Sequence, residues 1–506
     1  MQPPRVIQGG MGFAVSGWKL ASTVSRLGNL GVVSGSGLDL LVSRLLQSGD
    51  PGGHITRILE RFPFPEIAQR VRAQHEIPGG KAPTAPFRRI PMWTATPSIA
   101  LQQLAVVANF VEVALAKDGH DGIVGINYLT KIQLPLLASL YGAMLAGVDY
   151  VLMGAGLPRE VPAILDRLAE GLDVEFPLSV EGAQPGDAYR TTFSPQRVLG
   201  AVPGPLRRPR FLAIVASNTL AALMAKNATG RVDGLVIEGH TAGGHNAPPR
   251  GKLVVDAHGE PEYGPRNDVD LAAIRQLGLP FWLAGSYASP ERLHEAEQHG
   301  AAGIQAGTAF AFARESGLAP ELKSAVLATL RQGPIRVFTD PNASPTGFPF
   351  KVVPLSGTLS EREVYDARVR NCDLGYLRRV YRKLDGRLGY RCPGEPVEDY
   401  VRKGGDEAET AGRKCLCNCL LANVGLAQRR GDGSLEMPML TAGSELNAVT
   451  GFIPAGADSY GAGDVIRKLT APARALAIID VTSSAAAVRD AARSAAPPGA
   501  ARSGTS

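Results

Sequence analysis

The chain has 506 residues, 44% of them hydrophobic and 20% charged, with a formal net charge of +6. That is enough apolar material for a sizeable core, in two or three domains or in one large domain with an added module. The positive excess is thin over this length, and no Lys/Arg block is interleaved with aromatics. A nucleic-acid-binding protein is therefore not expected, while an anionic cofactor or a phosphorylated carrier suits the charge.

The opening residues, MQPPRVIQGGMGF, lack a basic segment followed by an apolar one, so no signal peptide is expected and the expected compartment is the cytoplasm. The best membrane-like stretch is 132–156. Pro135 and Asp149 interrupt it, so a buried helix followed by a buried strand is the reading, with no membrane partner.

In chain order, short apolar runs ending in Gly, Ser or Asn alternate with helix-like stretches. The runs are 6–8, 30–34, 122–127, 149–154, 211–217, 233–238, 281–285 and 303–308. Continuous apolar runs are the signature of strands buried on both faces. Eight of them with intervening helices predict a (β/α)8 TIM barrel over 1–335, with a doubly wound open sheet as the other way to produce the alternation. Two stretches break the rhythm and read as insertions able to cap the barrel mouth: 47–100, and 173–210, which ends in PGPLRRPR. After 335 the character changes to a smaller C-terminal module, 336–470, with a basic helical stretch expected near 377–384 and all five cysteines. The Ala-, Arg- and Ser-rich end, 471–506, reads as a disordered tail.

In such a barrel the chemistry sits at the C-terminal strand ends. The residues expected there are Gly10, Met11 and Gly12 after the first strand and Ser34 after the second. Asn127, Gly154 and Ser217 end the third, fourth and fifth, and Glu238 opens the loop after the sixth. Gly285 and Ser286 follow the seventh strand, and Gly307 and Thr308 the eighth. Small residues let a flat ligand approach the backbone. The last two loops commonly hold a phosphate, so a mononucleotide spanning the mouth is the expected ligand. The loop after the sixth strand reads EGHTAGGH, 238–245; Gly244 lets it fold tightly, and His245 is the candidate proton-transfer group. His240 is an orienting or exposed residue. A metal held by the two histidines is disfavoured, because the pair lacks helical spacing and has no carboxylate partner beyond Glu238.

These stretches together, IQGGMG, GIN, GAG, EGHTAGGH and GIQAGT, resemble the nitronate monooxygenase (2-nitropropane dioxygenase-like) family over about 1–330. That family includes the FMN-dependent enoyl-acyl-carrier-protein reductases and the enoyl reductases of polyunsaturated fatty acid and polyketide synthases. The resemblance implies a barrel binding FMN without a covalent link. Gly10, Met11, Gly12 and Asn127 would lie at the flavin ring, Gly285, Ser286, Gly307 and Thr308 at the phosphate, and His245 would be catalytic. It implies oxidation of alkyl nitronates with O2, or else NAD(P)H-dependent reduction of an enoyl thioester, with NAD(P)H binding transiently over the flavin and an acyl-carrier protein or synthase as partner. Thr241 departs from the family at a position where many members carry an acidic residue. The length of the chain looks more like the long enoyl reductase branch.

Cys372, Cys392, Cys415, Cys417 and Cys419 lie within 48 residues and could hold zinc or an iron–sulfur cluster, although no C-x2-C pair is present and C-x-C is strained for one tetrahedral metal, so buried reduced thiols are the favoured reading. Two other classes stay open: a flavin-free phosphate-binding barrel, which would want a Lys or paired carboxylates at the strand ends, and a non-catalytic synthase partner.

Overall fold

The structure, a computed structural model, describes residues 2–472; the expected disordered tail lies outside them from 473 onward. All eight predicted strands form: β1 (Val6–Gln8), β2 (Leu30–Ser34), β3 (Val124–Leu129), β4 (Tyr150–Gly154), β5 (Arg210–Val215), β6 (Gly234–Glu238), β7 (Phe281–Ala284) and β8 (Gly303–Ala306). They close into one barrel in the order β1-β8-β7-β6-β5-β4-β3-β2, every pairing parallel. The barrel is filled, as strands buried on both faces require: Ile7, Val32, Leu152, Leu212, Val236 and Trp282 pack together inside it. Trp282 satisfies its indole N–H on the Pro4 carbonyl at 2.7 Å, so this large side chain leaves no unpaired donor in the core.

Register then sets which strand-end residues sit side by side. Ser34 pairs with Asn127 across β2 and β3. Ala284 pairs with Glu238 on one side and Gln305 on the other. These residues therefore stand at the same end of the barrel, although they are separated by up to hundreds of positions in sequence.

The insertion after β2 forms helices His54–Leu59 and Pro65–His75, then an irregular stretch leading to helix Ile99–Lys117. That last helix is long and apolar enough to cross a membrane, yet it is a core element, packed against helices Trp18–Arg26, Leu38–Gln47 and Leu136–Leu145. The stretch 132–156 is a buried helix followed by β4, as its composition implied. The second insertion forms a hairpin of Val174–Pro177 with Arg190–Phe193, and places Val180–Glu181 against Arg379–Arg382 as a parallel neighbour.

That pairing corrects one expectation. The basic stretch near 377–384 is not a helix. Arg379–Arg382 is a strand, antiparallel to Leu388–Arg391 around a turn in which Gly386 takes φ +80°. Val380 is buried, with Arg379 and Tyr381 half-buried on the opposite face, a period of two that tertiary pairing selected over local helix propensity. Residues up to Ala471 form one compact unit, so the segment after 335 wraps the barrel.

Candidate active site

A single cavity gathers the strand ends. Of the residues expected there, Gly10, Met11, Gly12, Ser34, Asn127, Gly154, Glu238, Gly244, His245, Gly285, Gly307 and Thr308 all line it. Ser217 and Ser286 do not. Ser217 is instead the N-cap of helix Asn218–Asn227, its hydroxyl accepting from the Leu220 N–H, which is the usual use of a serine ahead of a helix.

The loop after β1 is shaped by two buried residues that sequence reading passed over. Ser16 donates to the Gly9 carbonyl at 2.8 Å and accepts from the Met11 N–H at 3.0 Å, while Gln8 donates to the Ser16 hydroxyl at 2.9 Å. Ser34 adds a hydrogen bond to the Gly12 carbonyl. Gly10 is required for close approach: a Cβ there would lie 2.4 Å from the Cβ of Asn127. Two non-glycine residues at strand ends take left-handed backbone, Ala155 at φ 56° and Ser286 at φ 58°, the kind of local strain that clusters at ligand sites.

Three polar side chains face this cavity with no protein partner for their reactive ends. The amide of Asn127 and the carboxylate of Glu238 make no hydrogen bond among the described residues, and the Gln305 Oε1 is buried without a donor. The buried Gln305 Oε1 is costly to leave unpaired, and the polar ends of Asn127 and Glu238 stand free on the same cavity, so a polar ligand would find partners there. Gln305 was not singled out from sequence; its position two residues before the Gly307–Thr308 turn was the available signal.

His245 is held by the segment after 335. Its Nε2 is 2.7 Å from the Ser344 hydroxyl, which in turn lies 2.8 Å from that of Thr346. Its backbone bridges to Phe350, whose ring meets the imidazole edge-on at 4.9 Å. Gly244 donates to the Thr441 hydroxyl at 2.8 Å. Burial first, and then the nearby Lys131 ammonium, push the imidazole down to about 4, so His245 is neutral at physiological pH. Burial pushes Glu238 the other way, up to about 7, so its carboxyl shares its time between acid and carboxylate near neutrality. Two groups with oppositely displaced titrations thus line one cavity. His240 lies outside, exposed and stacked on Tyr263 at 4.3 Å.

The end of the cavity expected to take a phosphate is partly built. Gly285, Gly307 and Thr308 line it, but the helix after β8 is the single turn Thr308–Ala311. A strap from Thr441 to Glu445 lies across it. Gly443 donates to the Thr308 hydroxyl at 2.8 Å, Ser444 donates to the Thr241 carbonyl at 2.9 Å, and the Glu445 carboxylate accepts from the Ser286 hydroxyl. Neither insertion lines the cavity; its cover comes from Phe350, Leu377, Leu416, Leu420 and Leu440.

The cysteines are free and, Cys372 excepted, buried. Among the described residues no group of three or more His, Cys, Asp or Glu is placed to hold a metal ion.

No family model matches the chain, and no curated protein matches it. Solved structures do. "Structure of FabK from Thermotoga maritima" aligns at 15% identity over 97% of this chain and 96% of that one, with a TM-score of 0.44. A nitroalkane oxidase from Streptomyces ansochromogenes aligns at 14% over 96% and 98%, with a TM-score of 0.44. The enoyl reductase domain of MlnA from the macrolactin biosynthesis cluster of Bacillus amyloliquefaciens aligns at 12% over 97% and 96%, again at 0.44. The barrel assignment rests on the chain's own closed sheet.

Proposed function

We propose that this chain is an FMN-dependent oxidoreductase that oxidises alkyl nitronates with O2. The observation that carries the reading is the convergence of unpartnered Asn127, Glu238 and Gln305 on a cavity floored by Gly10. These residues fit a flat ring bearing both donors and acceptors: the side-chain amides of Gln305 and Asn127 would pair with polar ring-edge groups, and the Gly10–Gly12 backbone would lie against the ring. Gly285, Gly307 and Thr308 would hold the phosphate. When bound, FMN would supply the two-electron redox chemistry.

The chain's own part is positioning and proton handling. Ser344 fixes the His245 Nε2 and thereby orients the ring, leaving Nδ1 as the nitrogen without a protein partner among the described residues. If the neutral nitroalkane rather than its nitronate is used, the unprotonated imidazole would take the proton from its acidic carbon, as a weaker base than a free imidazole because burial lowers it. The cover from the segment after 335 keeps bulk water from that exchange.

A second reading, NAD(P)H-dependent reduction of an enoyl thioester delivered by an acyl-carrier protein or synthase, is favoured by Glu238. Reduction of the double bond needs a proton donor for the second carbon, and a carboxyl pushed up to about 7 still carries its proton part of the time at neutral pH.

One experiment separates the readings. The purified protein is scanned for flavin absorbance and then treated anaerobically with NAD(P)H and, separately, with a nitronate. Bleaching by the nitronate alone supports the oxidase. Bleaching by NAD(P)H supports the reductase. Absence of flavin bands after incubation with excess FMN refutes both and leaves the flavin-free barrel.

A further inference from the structure

One stretch of the surface is an unpaired strand edge. Leu253, Val254 and Val255 are 50%, 50% and 47% exposed, the only consecutive run of large exposed apolar residues among the described ones. They lie on the outer strand of a hairpin, 252–262, that follows the His245 loop. The Asp256 N–H donates to the Glu260 carbonyl at 2.9 Å, the Glu262 N–H donates to the Val254 carbonyl at 3.0 Å, and Val255 faces Pro261 between them. The inner strand seats the hairpin on the body: Pro261 is buried, and Glu260 accepts from the Thr339 N–H at 2.7 Å and pairs with Arg336. Along an antiparallel strand, residues whose backbone groups face the partner alternate with residues whose groups face away. Val254 and Asp256 face inward, so the N–H and C=O of Leu253 and Val255 face out, and none of these is hydrogen-bonded among the described residues. An exposed apolar edge of this kind is a template for a further strand.

We propose that this edge pairs with the same edge of a second copy of the chain, about a two-fold axis through Val254. The sequence around that residue is self-complementary. Antiparallel pairing centred on Val254 sets Leu253 opposite Val255 on both sides of the axis, where each pair exchanges both backbone hydrogen bonds, and sets Val254 opposite itself at the closer, non-hydrogen-bonded position. It also sets Lys252 opposite Asp256 on both sides. Lys252 is exposed and in no ion pair among the described residues. One Asp256 oxygen accepts from the His258 and Glu260 N–H groups at 2.8 and 2.9 Å, and the other makes no hydrogen bond among the described residues. Moving the axis to Leu253 would face Lys252 with Val254, and moving it to Val255 would face Val254 with Asp256. The central register alone matches apolar with apolar and cation with anion. An edge lysine ordinarily discourages strand addition; here it admits a strand that presents an aspartate. This pairing is independent of the redox chemistry at the cavity.

The test is sedimentation equilibrium of the full-length protein over about a hundredfold range of concentration. The expected result is a monomer–dimer equilibrium with a Kd in the micromolar range, as suits a small interface. Lys252→Asp and Asp256→Lys each bring like charges together on both sides of the axis, and each is expected to raise Kd at least about tenfold. The double variant restores both pairs with their signs exchanged and is expected to return Kd to within about threefold of the parent. Val254→Lys places two ammonium groups across the axis and is expected to raise Kd at least about tenfold without touching the turn, which keeps the test open should Asp256→Lys disturb it. A chain that is monomeric at every concentration overturns the pairing and leaves the edge to a strand of another protein. A dimer unchanged by Lys252→Asp and Val254→Lys overturns it and puts the interface on another face. A double variant that keeps the parent's urea midpoint yet stays dissociated overturns the register.

Discussion

At the scale of single residues, the cavity holds two titrations that oppose each other. Glu238 is raised from 4.5 to about 7, so between those values the folded chain holds a proton that the unfolded chain has released, and stability falls as pH rises. His245 is lowered from 6.5 to about 4, so between those values the unfolded chain holds the extra proton, and stability rises with pH. From pH 4.5 to 6.5 the two slopes act in opposite directions. Glu238→Gln removes one of them. The variant is expected to gain stability with rising pH across that window more steeply than the parent, by up to about 1.4 kcal/mol per pH unit, the value for one proton. Urea unfolding at half-unit pH steps checks it, and parallel profiles would show that Glu238 titrates as it does in the unfolded chain.

At the scale of elements, β2 and the strap carry the sharpest expectations. Gly31 of β2 packs directly under helix Trp18–Arg26: a Cβ there would lie 1.9 Å from the Ala21 carbonyl oxygen. Backbone on both sides cannot yield as a side-chain tip can. Gly31→Ala is therefore expected to cost about 3 kcal/mol or more, read as a lower urea midpoint at unchanged slope. The strap bears on cofactor affinity. Glu445 holds the Ser286 hydroxyl and brings a carboxylate to the end of the cavity proposed for the phosphate. Like charges there oppose binding, although burial raises this carboxyl and so reduces the effect. Glu445→Gln is expected to tighten FMN binding about tenfold, measured by quenching of flavin fluorescence during titration of apoprotein. Unchanged affinity would put the phosphate elsewhere.

At the scale of the whole molecule, Asp39 ties three distant parts of the chain together. It sits on helix Leu38–Gln47 after β2, accepts from the Trp93 indole of the first insertion at 2.8 Å, and accepts from the Tyr376 hydroxyl of the C-terminal segment at 2.6 Å. Arg44, on the same helix and fully buried, donates to the Leu426 carbonyl of that segment. Asp39→Ala leaves two buried donors without an acceptor and opens a void. It is expected to cost about 3–5 kcal/mol, with barrel and C-terminal segment losing structure in one transition. Two separated transitions, or a loss below about 1 kcal/mol, would show that the segment after 335 folds independently.

The sequence by itself determined the eight buried strands and favoured a barrel, and the closed sheet decided it against a doubly wound one. Eight apolar runs, from 6–8 to 303–308, are buried on both faces, and that burial is a local property each run carries in its own composition. It also determined most of the cavity floor, because small residues after a strand mark the mouth wherever the strand ends, as Gly10, Asn127 and Gly307 do. Ser217 and Ser286 were equally good candidates by that rule and lie off the cavity, since a serine after a strand serves a helix cap or a loop bond just as well. Only the tertiary structure decided that Ser344 orients His245, that Thr441–Glu445 crosses the phosphate end, and that leucines from beyond 335 face the strand ends. Those contacts join residues separated by about a hundred positions or more. Their pairing depends on strand register and on the path of the whole chain, which no periodicity within a short window records.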